Sequence, residues 1–239
     1  MNILTATADG SNTLYNEEIG EHYHSANGAL QESRHVFIEA GLRHVFSLLS
    51  KGQNHASGNE NNIHLLEVGF GTGLNFLLSM NEAENAGIKL HYTGIEAYPL
   101  STELLSATGY GEYIPQALWE KSLALYAACL RERQAITTMV DLRILPQKLE
   151  DTLLSTSFDL VYYDAFSVGN QAEMWTEERL EQVCNALKPG GIFVTYAITG
   201  NLKRALKKQG MHIEKLPGAP GKREMLRAIK IDRTTDLNI

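Results

Sequence analysis

Glu67-Val68-Gly69-Phe70-Gly71-Thr72-Gly73 joins two apolar runs. Ile63-His64-Leu65-Leu66 enters it, and Leu74-Asn75-Phe76-Leu77-Leu78 leaves it. The entry reads as a short parallel strand buried on both faces. In the exit, Leu74, Leu77 and Leu78 fall at i, i+3 and i+4, the inward stripe of a helix that Gly87 would stop. A glycine-rich bend between such a strand and helix lets the backbone approach a ligand with no Cβ between them, and the helix N-terminus offers it unpaired N–H groups.

The spacing discriminates between ligands. A dinucleotide fingerprint places its glycines as Gly-x-Gly-x-x-Gly. Here Gly69, Gly71 and Gly73 alternate, Leu74 stands where the third dinucleotide glycine would fall, and an acid, Glu67, leads. This resembles the nucleoside-binding turn of Rossmann-like methyltransferases, whose cofactor, S-adenosylmethionine, carries no phosphate. The resemblance implies that the turn packs on the sugar and the methionine moiety, and that Glu67 meets the cationic methionine end directly or through water. A second strand over 90–96 ends at Glu96, and an acid near this offset holds ribose hydroxyls in nucleotide-binding α/β folds. The plainer reading of Glu96 is a solvated acid at a strand end.

The 239-residue length fits one domain, or one domain with an elaboration. Apolar residues at 44% and charged residues at 21% are ordinary for a globular protein. The two cysteines, Cys129 and Cys184, make neither a disulfide framework nor a metal-ligand pattern, and His22 and His24 have no partner cluster, so no metal is expected. No apolar run reaches membrane-spanning length and no signal peptide opens the chain, so no membrane partner and a cytoplasmic location are expected. A net charge of −7 argues against nonspecific nucleic-acid binding. The distribution says more than the sum: Lys203, Arg204, Lys207, Lys208, Lys215, Lys222, Arg223, Arg227 and Lys230 give this acidic chain a basic C-terminal region. Solvated helix and strand faces would explain it; a phosphate-contacting edge is the functional reading.

Along the chain, residues 1–15 are polar and without periodicity. Residues 20–39 are dense in groups that hydrogen-bond and stack, Tyr23 among them. A helix is expected over 28–50, with Gly41 as a possible break, and 50–62 reads as a polar loop. Residues 1–62 are therefore an N-terminal, substrate-side extension, and 63–239 the main α/β domain. After the second strand comes a helical elaboration over 98–133. A third strand runs over 136–145, a short helix over 147–154, and a fourth strand over 157–164 ends in Asp164. Thr176 caps a helix to Leu187, stopped by Lys188-Pro189-Gly190-Gly191. A fifth strand over 192–196, a helix over 201–209 and an antiparallel pair over 211–216 and 224–231 complete seven strands. In an open parallel sheet the strand carboxyl ends face the ligand crevice, which puts Gly69–Gly73, Glu96, Asp164 and the loop carrying Phe166 and Trp175 on one edge.

Several separated stretches resemble the methyltransferase domain of the bacterial tRNA-modifying enzyme MnmC and its stand-alone relatives. They are Tyr23-His24-Ser25 with Gly28, Glu32-Ser33 and Val36-Phe37; Glu67 through Phe76; Asp164-Ala165-Phe166 with Met174-Trp175; and Gly221-Lys222-Arg223-Glu224-Met225-Leu226. The resemblance covers about residues 20–230. It implies a class I, Rossmann-like sheet, mostly parallel with an antiparallel C-terminal hairpin. It also implies methylation of the exocyclic amine of 5-aminomethyl-(2-thio)uridine at the tRNA wobble position. S-Adenosylmethionine would be held by Glu67, Gly69, Phe70, Gly71, Gly73, Asn75, Glu96 and Asp164. The family has an acid after its third strand; here Leu145-Pro146-Gln147 stands, making Gln147 the candidate for that place. The family's flavin-dependent oxidase half is expected to be absent, with a separate flavin oxidase acting upstream, and the chain is expected to be a monomer.

Methyl transfer is an in-line displacement by a neutral amine, so positioning supplies much of the catalysis. Asp164, beside the crevice, is the candidate to orient the amine and take its proton. Phe166, Trp175 and Tyr23 are candidates to pack on the exposed base of an anticodon loop, and Lys222 and Arg223 to meet phosphates. Other readings stay open: a methyltransferase for another amine or for rRNA, a scaffold with a relic pocket, or an aminopropyl transferase of the spermidine synthase kind.

Overall fold

The structure is a computed structural model that describes residues 1–51 and 61–232; most of the loop expected over 50–62 lies outside the described residues. Its centre is a sheet whose core strands are mostly apolar and largely buried: β4 (Asn62–Val68), β5 (Lys89–Ile95) and β8 (Phe158–Tyr163). With both faces covered, side chains alternate between two cores. Ile63, Leu65, Leu160 and Tyr162 join one; Leu66, Val68, Val161 and Tyr163 join the other.

Four further strands were expected and are present: the third, over 136–145, which begins at Val140, and β9 (Leu187–Thr195), β10 (Met211–Pro217) and β11 (Glu224–Lys230). With β6 (Gln134–Ala135) and β7 (Val140–Leu145), the sheet order is β10-β11-β9-β8-β4-β5-β7-β6. β4, β5, β7, β8 and β9 run parallel, and β10–β11 form the antiparallel end. The count is eight, not seven, because Gln134 and Ala135 add a two-residue antiparallel edge beside Leu142 and Asp141.

Short helices α1 (Ala29–Glu32) and α2 (Arg43–Ser50) flank a π-helical segment, Ser33–Leu42, so the expected helix is one continuous rod. Gly41 does not break it. A Cβ there would come 3.0 Å from Tyr162 and 3.1 Å from Val194, so the glycine lets the rod lie close on the sheet. Val36, Phe37, Leu42 and Val45 share a core with Ile63 and Leu65, which makes the rod part of one helical layer. That layer also holds α3 (Leu74–Ala86) and α5 (Gln116–Cys129); between these two lies α4 (Thr102–Ala107). The other layer holds α6 (Glu177–Ala186), capped as expected by Thr176, and α7 (Gly200–Lys208).

Other details differ from the sequence reading. Residues 1–15 are not irregular: β1 (Asn2–Ala6), β2 (Asn12–Asn16) and β3 (Glu21–His22) form a separate antiparallel sheet. The helix expected over 147–154 is a single 3₁₀ turn, Leu149–Asp151. Lys188-Pro189-Gly190-Gly191 does not lie outside the sheet: β9 starts at Leu187, opposite Phe158, and a register shift absorbs the glycines before Ile192 pairs with Leu160.

Candidate active site

The carboxyl ends of β4, β5 and β8 open into a cleft of about 510 Å³, within the range of small-molecule sites. Val68, Gly69, Phe70, Gly71 and Thr72 line it from the glycine turn, Ile95 and Glu96 from β5, and Asp164, Ala165 and Phe166 from β8 and its loop. Gln147 and Leu149 line the side wall.

The turn is glycine-rich for two different close approaches. Gly69 has φ 88°, and a Cβ on it would meet the Asp164 carbonyl oxygen at 2.5 Å, so it lets the first and fourth core strands converge. Gly71 has φ 52°, and a Cβ there would come 2.9 Å from Tyr23 Cδ1. The N-terminal segment thus lies over the turn. The Tyr23 ring also meets Phe166 edge-on at 5.0 Å, so the two aromatic side chains form one wall. Glu21 fixes that arrangement. Its Oε2 accepts from Ser167 N at 3.0 Å, Ser167 Oγ at 2.8 Å and Asn170 Nδ2 at 2.9 Å.

Two acids reach the floor, and a third lies behind them. Glu96 accepts from Gly71 N–H at 2.9 Å and Tyr98 N–H at 3.0 Å. A carboxylate offers about four lone-pair sites, so two remain for hydroxyls. Burial lifts its carboxyl above the usual range, against those two backbone hydrogen bonds. Glu67 is fully buried and does not reach the cleft. Its oxygens accept from Asn75 Nδ2 at 2.8 Å and from the Tyr92 hydroxyl at 2.7 Å. Asn75 Nδ2 also donates to Asp164 Oδ2 at 2.8 Å. Glu67 and Asn75 therefore act one hydrogen bond behind the cleft, holding Asp164, rather than by touching a ligand. Burial, and then the neighbouring Asp164, push the Glu67 carboxyl well above its ordinary value. Asp164 is pushed up to about 8, first by burial and next by Glu32, against the Asn75 hydrogen bond and Lys222. A carboxylate poised there is suited to exchange a proton near neutral pH.

Other expected site residues are placed differently. Gln147 faces the cleft, with its amide donating to Thr152 Oγ1 at 2.9 Å. Trp175 does not line the cleft. Its indole is buried against Tyr163 and donates to the Phe166 carbonyl at 2.7 Å, so it braces the loop that carries Phe166. Lys222 is not at the surface edge but is paired with buried Glu32 at 2.5 Å. Arg223 is exposed. Of the other basic residues, Arg227 pairs with Glu214, Lys208 pairs with Glu177, and Lys230 donates to the carbonyls of Cys184 and Leu187. Arg204, Lys207, Lys215 and Arg223 are the exposed remainder.

Sequence reasoning missed the roof. Met1, Asn2, Asn16, Glu18 and Ile19 line the cleft from the first sheet, and exposed Tyr98 stands at its mouth. One signal was available: Asp9-Gly10 is a hairpin-turn pair, and Gly10 has φ 83°. Among the described residues, no cluster of three His, Cys, Asp or Glu side chains could hold a metal, and no helix is long and apolar enough to cross a membrane.

The site chemistry fits a cationic nucleoside. Two carboxyl groups face the cleft and a third lies behind them, and their hydrogen-bond partners are an amide, a phenol and backbone N–H groups, none carrying a formal charge. Comparison with known proteins agrees with this. Residues 114–231 match the model of an S-adenosyl-L-methionine-dependent methyltransferase family. Over 222 residues the chain is 32% identical to the tRNA 5-methylaminomethyl-2-thiouridine biosynthesis bifunctional protein MnmC of Pseudomonas fluorescens, covering 86% of this chain and 31% of that protein. It is 30% identical over 227 residues to the protein of the same name from Leptospira borgpetersenii serovar Hardjo-bovis, covering 90% and 33%. The chain spans about a third of the length of these curated relatives. The crystal structure of MnmC2 from Aquifex aeolicus has the same fold, with a TM-score of 0.70 at 21% identity, covering 95% of this chain and 70% of that one.

Proposed function

Because the chain belongs to this family of S-adenosyl-L-methionine-dependent methyltransferases, we propose that it methylates the exocyclic amine of 5-aminomethyl-(2-thio)uridine at the wobble position of tRNA. The observation that carries this reading is Asp164, an acid at the tip of β8, facing a cleft walled by Tyr23 and Phe166. The proposal concerns methyl transfer alone. The protein acts as a monomer in the cytoplasm, where the tRNA anticodon loop is its partner.

Glu96 and the backbone of the glycine turn, Phe70 included, would hold the sugar, Ile95, Leu149 and Gln147 would flank the base, and Asn75 and Glu67 fix Asp164 from behind. The cofactor supplies an electrophilic methyl group on a sulfonium sulfur. An aminomethyl group reaches the site as an ammonium, and Asp164, once ionised, accepts one of its protons. With that proton removed, the nitrogen lone pair would be free to accept the methyl group that the bound cofactor would supply, the bonding pair remaining with sulfur. The product leaves as a secondary ammonium, and Asp164 returns its proton to water. Tyr23 and Phe166 pack on the base and exclude water from the nitrogen. The exposed cations Arg204, Lys207, Lys215 and Arg223 meet RNA phosphates.

The test is nucleoside mass spectrometry of tRNA incubated with the protein and S-adenosylmethionine. Conversion of the 5-aminomethyl nucleoside to its methylaminomethyl form is expected. Unchanged tRNA alongside methylation of a free polyamine or of rRNA would overturn the substrate.

A further inference from the structure

Lys222 and Arg223 are adjacent in sequence but occupy different environments. Arg223 is exposed. The Lys222 ammonium lies 2.5 Å from Glu32 Oε1 and 3.9 Å from the centre of the Tyr196 ring. The Glu32 side chain is only 5% exposed, and its other oxygen accepts from Ser25 N at 2.8 Å. The Tyr196 hydroxyl donates to the carbonyl of Ala165, the residue after Asp164, at 2.8 Å. One ion pair thus ties together the turn before β11, the start of the first helix and the strand end that carries Asp164. A lysine engaged on one side by a carboxylate and on another by an aromatic face already has its charge matched inside the protein, which leaves little of it for a phosphate.

We propose that the Lys222–Glu32 pair is a positioning element of the methyl-acceptor site, setting the field in which Asp164 takes its proton, and is not an RNA contact. The inference rests on Asp164 being the proton acceptor of the reaction proposed above. The charges around Asp164 come from several elements. Glu67 lies behind Asn75, with the Tyr92 phenol on its far side. Glu21 reaches in from β3, Tyr196 from the end of β9, Glu32 from α1, and Lys222 from the C-terminal turn. His24 sits beside Glu32 and Lys222, and burial depresses its imidazole to about 4, so it is neutral at working pH. Within this set Glu32 raises the proton affinity of Asp164 and Lys222 lowers it. Two partners of one ion pair that act with opposite sign on a third group give a signature that packing alone does not produce.

The experiment compares pH–rate profiles of single-turnover methyl transfer in wild type, Lys222→Met, Lys222→Arg, Glu32→Gln and the Glu32→Gln/Lys222→Met double variant. Aspartate carboxyl ¹³C NMR titrations of the same proteins without cofactor provide a readout independent of turnover. Lys222→Met should move the acidic limb, and the Asp164 titration, upward by about half a pH unit or more. Glu32→Gln should move both downward. Lys222→Arg and the double variant should stay near wild type. Lys222→Met should leave the salt slope of tRNA binding unchanged. The proposal is overturned if the single variants leave the titration in place, if both move it the same way, or if Lys222→Met flattens the salt slope by about one, as loss of a phosphate contact would. Should Lys222→Met fail to fold, Glu32→Gln carries the test, because Lys222 at 32% exposure keeps access to water when unpaired. A wild-type profile without an acidic limb, together with full activity in Asp164→Asn, would instead remove Asp164 from the mechanism; the NMR titration still decides whether the pair governs it.

Discussion

The two ends of the central sheet treat their carboxylates in opposite ways. At the amino end, Asp159 meets Lys188 at 2.8 Å and also accepts from His64 N–H at 2.8 Å. Asp141 lies between Arg133 and the His91 imidazole, which stacks on His64 at 4.6 Å. At the carboxyl end, Glu67, Glu96 and Asp164 receive only neutral donors. Both ends use buried or half-buried acids, but only at the first do cations bond to them directly; at the second, Lys222 pairs with Glu32 and acts on Asp164 from a distance. A charge balanced inside the protein holds the structure together; acids that burial keeps protonated, and that ionise only at the price of stability, are reserved for something that arrives. A sulfonium and then an ammonium are what the second end lacks.

This contrast sorts the expected effects of mutation. The largest belongs to Asp164→Asn, which should lower turnover by about 10²–10⁴-fold, the usual worth of a positioned general base. Its calorimetric affinity for S-adenosylmethionine should stay near wild type; equal loss of both would move Asp164 to cofactor binding. Next, Asp159→Asn strands Lys188 at the other end and should cost about 3–5 kcal/mol in urea denaturation, with the activity of the folded fraction intact. If activity fell with it, the two ends would not be independent. Glu96→Gln should then weaken cofactor binding by about 10–100-fold, the loss expected when hydroxyls give up a charged acceptor.

A pH effect follows with a definite sign. Asp164 titrates at about 8 in the folded protein against an ordinary 3.8, so between these values the native state holds a proton that the unfolded chain has released. Its contribution is complete below 3.8 and is lost as pH rises through 8, so urea stability should fall over this window. Asp164→Asn should flatten that decline, and saturating cofactor should also oppose it. The smallest effect is Arg223→Gln, expected to reduce the salt slope of tRNA binding by about one without changing its sequence preference.

The carboxyl end was legible in the sequence because strand, glycine bend and helix are contiguous there. Gly69 to Asn75 and Glu96 could be placed from local pattern alone. Asp164 followed from the rule that parallel strands end at the ligand. The roof was not legible from periodicity. β1 and β2 carry little contrast between faces, with Ile3 and Leu4 exposed, and only Asp9-Gly10 marked the turn between them. Lys222 was read as a phosphate contact and Trp175 as a ring packing on the base because residue type suits those roles. What turns Lys222 inward is Glu32, 190 residues away, and no window of sequence contains both. Glu67 was placed correctly in the chain, but its direct reach toward the ligand was not, since Tyr92 and Asn75 claim both its oxygens.

The bond set of Glu21 has a consequence for biosynthesis. Its partners Ser167 and Asn170 stand 146 and 149 positions further along, so the roof has nothing to close against until the fourth core strand has left the ribosome. Contacts of such separation form late and slowly. A nascent chain halted before that point would present a glycine bend with no wall beside it. Competence to capture the nucleoside should therefore emerge late in translation, when the oldest and the newest segments meet.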